Sequence, residues 1–227
     1  MDPNLSIVIP LTKETKHLPL TLIDFDNHLS RLGRPYEIFI IPAKTDQLVK
    51  ETIRRFSPFI KNLTLIEEAG SQLLALKESI KAAHGRFFLL ADPSRSVSLG
   101  EAAKLVEQIE NGFDVATVWR KNKKTGGLKT VLAKTASLIA RLISPGLNDP
   151  LTPFQCFSLK SAGAIFTRLK TTPEGSFAEP LAVARRLRLR IKEVETEIEA
   201  PRFSLMEFFG IIKKVATIRF WLWLGAY

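Results

Sequence analysis

Gly85–Gly112, GRFFLLADPSRSVSLGEAAKLVEQIENG, is the stretch whose reading decides the fold. Phe87 to Ala91 is an unbroken apolar run after a glycine, the pattern of a strand covered on both faces in a parallel sheet. Asp92, Pro93, Ser94, Arg95 and Ser96 then supply turn chemistry. Ser98 with Glu101 three residues on is a capping-box signature, and Asn111-Gly112 marks the end of the helix that follows. The segment reads strand, turn, helix, with a carboxylate at the C-terminal end of a buried strand. Open α/β sheets bind their ligands at that place. Asp92 also reads, on local sequence alone, as a turn former bonded to its own backbone.

Outward from this stretch the same alternation repeats. Ser6 to Ile9 is a β-branched strand closed by Pro10. Leu18, Leu22, Phe25, Leu29 and Leu32 recur at helical spacing, with Gly33 as the stop. Tyr36 to Ile41 is a strand ended by Pro42. Thr45 or Asp46 caps a helix carrying Leu48, Val49, Ile53 and Phe56. Leu63 to Glu67 is a third strand, and Ser71 to His84 a helix with the stripe Leu73, Leu74, Leu76, Ile80 and Ala83. Asp114 to Val118 is a strand again. Strands separated by helices of this length predict βαβ crossovers and one Rossmann-like α/β domain, its mostly parallel sheet covered by helices.

Beyond Arg120 come a basic loop, Lys121, Lys123 and Lys124 with Gly126 and Gly127, and a helix over about Leu128 to Ile143. Its expected apolar face is Val131, Leu132, Thr135, Leu138, Ile139 and Leu142, and Ser144-Pro145-Gly146 ends it. Phe154 to Leu159 reads as a buried strand holding Cys156. Ser161 to Leu169 and Phe177 to Leu187 read as helices, and Arg190 to Ile198 as a strand with one solvated face. The domain is expected over 1–200 and a C-terminal amphipathic helix over 201–227. In that helix Leu205, Phe208, Phe209, Ile212, Val215 and Ala216 form one face, followed by Phe220, Trp221, Leu222, Trp223, Leu224 and Tyr227. Such an aromatic-rich basic helix suits a membrane surface. Packing on its own domain, a second copy or a membrane partner protein is the other reading.

Composition bounds the possibilities. The 227 residues, 45% hydrophobic and 25% charged, are those of an ordinary globular chain long enough for a large core. The single cysteine excludes an internal disulfide framework or a cysteine metal cluster. The N-terminus lacks the pattern of a signal peptide, and no window offers a membrane span. A net charge of +10 attracts nucleic acid, anionic lipid or a phosphorylated substrate. The basic residues are dispersed rather than clustered with aromatics, which argues against nucleic acid. His17, His28 and His84 lack metal-ligand spacing, and neither a P-loop nor a G-x-G-x-x-G fingerprint occurs.

Several segments in order, SIVIP, YEIFII, RFFLLAD, DVATVWR, DPLTPFQCFSLK and RIKEVETEIEAPRF, resemble the family 2 glycosyltransferases. Within that family they look most like the dolichol- and polyprenol-phosphate mannosyltransferases, in register over about the first 200 residues. The resemblance implies the GT-A fold and sugar transfer from a nucleotide-sugar donor to a polyprenyl-phosphate acceptor, at the cytoplasmic face of a membrane. It further implies donor contacts in PLTKE, from Pro10 to Glu14, and at Asp92 and Ser94. Asp92 matches the first carboxylate of the D-x-D metal motif, for Mg2+ or Mn2+. Arg120, Lys123, Lys124 and Gln155 fall on the acceptor side. Asp92, Arg120 and Asp149, which leads DPLTPF, are the catalytic candidates.

The departures cluster on the donor side. Pro42-Ala43-Lys44 stands where the family has D-D-G-S, Ser94 replaces the second D-x-D carboxylate, and Ser71-Gln72-Leu73 replaces a glycine-rich turn. An active transferase and a transferase-like binding or scaffold protein without catalysis are therefore both compatible with the sequence.

Overall fold

β-branched and aromatic runs become the strands, and the turn residues between them set the crossovers. The computed structural model describes residues 4–11, 18–42, 47–60, 62–67, 71–91, 99–120, 128–152, 154–171, 178–196 and 204–227. The order is β1 (Leu5–Pro10), α1 (Leu18–Leu32), β2 (Tyr36–Ile41), α2 (Gln47–Phe56), β3 (Leu63–Leu65), α3 (Gln72–Ala82), β4 (Phe87–Ala91) and α4 (Leu99–Glu110). Then follow β5 (Val115–Arg120), α5 (Leu128–Ala140), β6 (Phe154–Ser158), α6 (Leu159–Phe166), α7 (Ala178–Arg186), β7 (Ile191–Thr196) and α8 (Leu205–Trp223).

The seven strands form one sheet in the order β3-β2-β1-β4-β6-β5-β7. β1 pairs in parallel with both β2 and β4, β2 with β3, and β5 with β7. β6 alone runs antiparallel, between β4 and β5. The mostly parallel sheet expected from the alternation is present. The reversal of β6 is the feature that periodicity does not carry, because a strand's own pattern is blind to its direction.

Alternate residues of each central strand feed opposite layers, as the two-residue repeat requires. Ile7, Ile9, Ile38, Ile40 and Leu89 join Leu22, Val49 and Leu105 from α1, α2 and α4. Val8, Phe39, Phe88, Leu90 and Phe157 join Leu76, Phe166 and Leu181 from α3, α6 and α7. Phe166 packs edge-on against both Phe88 and Phe157, with centroids 5.2 Å apart in each case. These two layers are the α/β core.

A third cluster lies aside from them. Ala133, Ala136, Ala140 and Ile143 meet Ala178 and Ala182 of α7 and Ile211, Val215 and Ile218 of α8. α8 thus packs on the domain body, its start fixed by a capping box between Ser204 and Glu207. One expected helix face is corrected here, and a second is divided between core and solvent. In α5 the small alanines are buried, while Val131, Leu138 and Leu142 face solvent. In α8 Ile211, Val215 and Ile218 are buried, while Leu205 and Phe209 are exposed. Small residues allow close helix contact, and packing between helices, not the largest apolar stripe, chose the inner face. Leu74, assigned to the inner stripe of α3, is likewise exposed, and Gln72, Ala75, Leu76 and Ser79 are its buried side.

Candidate active site at the C-terminal strand ends

The parallel strands leave their C-terminal ends on one edge of the sheet, joined by the N-terminal end of the reversed β6. The strand order changes direction between β1 and β4, with β2 and β3 on one side and the remaining strands on the other. A crevice opens at such a switch point because the two crossover connections leave in opposite directions. Pro10 ends β1 at this place, in register with Ile41 of β2, and Ala91 ends β4 in register with Phe154 of β6.

The β1 and β2 ends are tied together by a residue that the sequence pattern marks only as a departure from its relatives. Leu11 N–H donates to the Ile41 carbonyl at 2.7 Å. Gln72, buried at the start of α3, donates from Nε2 to the Leu11 carbonyl at 2.9 Å and to the Ile41 carbonyl at 3.4 Å. One side-chain amide therefore satisfies the Leu11 carbonyl and adds a longer, second contact to the Ile41 carbonyl, which Leu11 N–H already occupies.

On the other flank, Arg120 at the end of β5 is buried and bidentate with Asp149, donating from Nε to Oδ2 and from Nη2 to Oδ1. Nη2 also donates to the Leu151 carbonyl at 3.3 Å. Planar fork-to-carboxylate geometry of this kind fixes orientation as well as charge. Asp149 is itself held, its N–H donating to Glu193 Oε1 at 3.0 Å, while the neighbouring Asn148 N–H donates to the same carboxylate at 2.8 Å. Glu193, on β7, was not a candidate, since alternation reads it as one more solvated strand residue. Arg120 Nη1 is buried with no hydrogen-bond partner among the described residues. A buried charged donor without a partner carries a desolvation cost.

Gln155 is also buried, on β6 between Leu90 and Thr117. Cross-strand partners share a face, so Gln155 lies on the Thr117 side of the sheet. Arg120, three residues beyond Thr117, belongs to the opposite side, with Ala116 and Val118. The strands bring Arg120 and Asp149 together, but place Gln155 on the other face. Glu14, Asp92, Ser94, Lys123 and Lys124 lie outside the described residues. So do Thr45, Asp46 and Ser98, expected as helix caps.

Cys156 is wholly buried, and burial pushes its thiol well above the ordinary range, so it is a packing residue as expected. Among the described residues no group of three His, Cys, Asp or Glu offers a metal site. Asp149 is committed to Arg120. These residues do not by themselves fit a divalent cation. Among the described residues, no helix is long and apolar enough to cross a membrane.

No family model matches the chain. Its sequence is 24% identical over 221 residues to the undecaprenyl-phosphate 4-deoxy-4-formamido-L-arabinose transferase of Klebsiella pneumoniae, covering 93% of this chain and 66% of that protein. It is 24% identical over 217 residues to the dolichol-phosphate mannosyltransferase of Pyrococcus furiosus, covering 91% of this chain and 56% of that one. The chain resembles the polyprenyl-phosphate sugar transferases of glycosyltransferase family 2. It spans about two thirds or less of the length of these two relatives. Among solved structures, mannosyl-3-phosphoglycerate synthase from Rubrobacter xylanophilus superposes with a TM-score of 0.70 at 14% identity, over 99% of this chain and 76% of that one. Glucosyl-3-phosphoglycerate synthase from Mycobacterium tuberculosis, in complex with Mn2+, UDP-glucose and phosphoglyceric acid, does so at 0.68 and 17%, over 96% and 78%. The fold is therefore that of the GT-A glycosyltransferases, as the resemblance implied.

Proposed function

We propose that this chain transfers a sugar from a nucleotide-sugar donor to a polyprenyl-phosphate acceptor at a membrane surface, on its cytoplasmic face. The observation that carries the reading is the buried Arg120 at the C-terminal edge of the sheet, oriented by Asp149 and with Nη1 unpartnered among the described residues. Polyprenyl-phosphate acceptors in the names of its relatives supply the anion that such a donor suits.

In this reading the acceptor's phosphate oxygen attacks the anomeric carbon. The bond from that carbon to the nucleoside diphosphate breaks, and the diphosphate leaves with the electron pair. Because the attacking phosphate is already anionic, no strong general base is needed. Arg120 orients the phosphate, and Asp149 holds Arg120 in place. Lys123 and Lys124 draw in the acceptor's charge, and Gln155, expected on the acceptor side, is left without a role because it faces the other side of the sheet. Pro10, Glu14, Asp92 and Ser94 hold the donor. Asp92 is the proposed ligand of Mg2+ or Mn2+, a role supported by the Mn2+ in a structural neighbour. With Ser94 beside it in place of a second acid, that metal is read as an addition to donor binding.

Calorimetric titration with UDP- and GDP-sugars, with and without Mn2+, tests the proposal. Binding that strengthens with Mn2+ and weakens in Asp92→Ala is expected. Silence across the panel, with the protein folded, would overturn the transferase reading and leave a binding relative.

A further inference from the structure

We propose that a cavity under α4, at the N-terminal edge of the sheet, binds a small amine with an apolar, ring-sized body. The site is separate from the transferase reading and does not rest on it. β1 runs from Leu5 at this edge to Pro10 at the other, about 17 Å at strand rise, so the cavity lies away from Arg120 and Asp149.

The cavity follows from the register of three strand starts. Tyr36 of β2, Leu5 of β1 and Phe87 of β4 stand side by side in parallel pairing, so their side chains share one face. α4 covers that face. It meets this row with Ala102 and Ala103, two short side chains in succession, and a space of about 290 Å³ remains between helix and sheet, walled also by Val106. A dry cavity of about 150 Å³ already holds a benzene ring, so this one has room for a fused bicyclic ring with a short chain.

The polar groups on the wall decide what the occupant carries. Tyr36 donates its hydroxyl to Asp26, and Arg34 donates from Nη1 to Glu110 Oε1 at 2.9 Å. Asn4 Oδ1 is buried without a donor among the described residues. Glu107 adds a second, exposed carboxylate. Among the described residues the wall is thus short of donors, and it carries two carboxylates against one guanidinium. This is a local excess of negative charge in a chain of net +10. A protonated amine brings both donors and positive charge, whereas a carboxylate or phosphate brings neither. Apolar walls with a few convergent polar groups are the ordinary make-up of a small-molecule site.

Calorimetry of the full chain with tryptamine, indole and indole-3-acetate tests this, because the three share a ring and differ in charge. Tryptamine is expected to bind about tenfold or more tightly than indole-3-acetate, although the chain's overall charge favours the acid. Ala103→Phe fills the cavity and is expected to abolish binding of tryptamine and indole alike. Glu107→Gln keeps the shape and is expected to weaken tryptamine about threefold while leaving indole unchanged. Glu107 is exposed, so this variant keeps the test open should Ala103→Phe misfold. Tryptamine silent up to millimolar concentration with folded wild type, indole-3-acetate binding as tightly, or an affinity that neither variant lowers would each overturn the proposal. So would displacement of tryptamine by UDP-glucose, which would put the amine at the other edge. The nucleotide-sugar titration uses no amine, so the two readings fail separately.

Discussion

Arg120 and Asp149 form a buried, bidentate ion pair that joins the end of β5 to the loop at 148–152. Neither residue is free to act alone. Both carboxylate oxygens accept from the guanidinium, and of its nitrogens only Nη1 is without a partner among the described residues.

Breaking the pair is expected to be costly. Asp149→Ala leaves Arg120 buried without its counter-charge, worth roughly 3–5 kcal/mol by analogy with other buried pairs. Urea denaturation of Asp149→Ala, Arg120→Met and the double variant reads this as a thermodynamic cycle. The double variant is expected to be more stable than Asp149→Ala alone, because no uncompensated charge remains. Equal loss in Asp149→Ala and an exposed control such as Glu51→Ala would refute the coupling.

Gln72 bridges the ends of β1 and β2 at the C-terminal edge of the sheet. Gln72→Leu fills the same space but removes both donors. The expected loss is about 1–3 kcal/mol, the cost of leaving the Leu11 carbonyl without its donor while the Ile41 carbonyl keeps Leu11 N–H. If the bridge shapes the donor pocket, nucleotide-sugar affinity falls beyond what the stability loss explains. Chemical denaturation and calorimetry on the same variant separate the two.

At the opposite edge of the sheet, Gly85 approaches β1 too closely for any side chain. A Cβ there would lie 2.6 Å from the Ser6 backbone nitrogen and 2.9 Å from the Leu5 carbonyl carbon. Gly85→Ala must displace backbone, and a loss of about 1–3 kcal/mol or more is expected from overpacking. The same small residue lets its N–H reach Ser6 Oγ at 2.9 Å, next to the buried Glu37. An unchanged melting temperature would show that β1 yields more easily than this geometry implies.

Tyr227 donates its hydroxyl to Glu179 Oε1, a buried carboxylate that also accepts from Lys170 N–H at 2.8 Å and Thr171 N–H at 2.9 Å. Burial, and then Glu179, push the Tyr227 hydroxyl above its ordinary pKa. The folded value is the raised one, so this contribution is complete below about pH 10, the unfolded value, and fades above it as the unfolded state ionises first. Tyr227→Phe is expected to cost roughly 1.5–3 kcal/mol at neutral pH, the scale of a hydrogen bond to a charged group. It should also flatten the alkaline fall in stability between pH 9 and 11, an approximate window set by that unfolded value. A wild-type curve already flat there would contradict the assignment.

The sequence by itself determined the elements and their alternation. Phe87–Ala91 reads as a doubly covered strand and became a fully buried one. Gly33 and Gly112 read as helix stops, and both adopt left-handed backbone. These features are local: a two- or 3.6-residue repeat and a turn residue suffice to mark them. The site was legible in part, since Pro10, Arg120 and Asp149 were singled out and lie at the C-terminal strand ends or the adjoining loop.

Only the tertiary structure decided the rest. That β6 runs backwards, that Asp149 and Arg120 are one unit, and that Gln155 lies on the other face from them all depend on residues far apart in the chain. So do the roles of Gln72 and Glu193, whose partners are carbonyls and amides with no side-chain signature. The inner face of α5 was misread for a related reason. Like α8, it is apolar on more than one side, and periodicity then cannot say which side meets the core. Alanines won in α5 because they let the α8 backbone close in, and the larger residues were left outside.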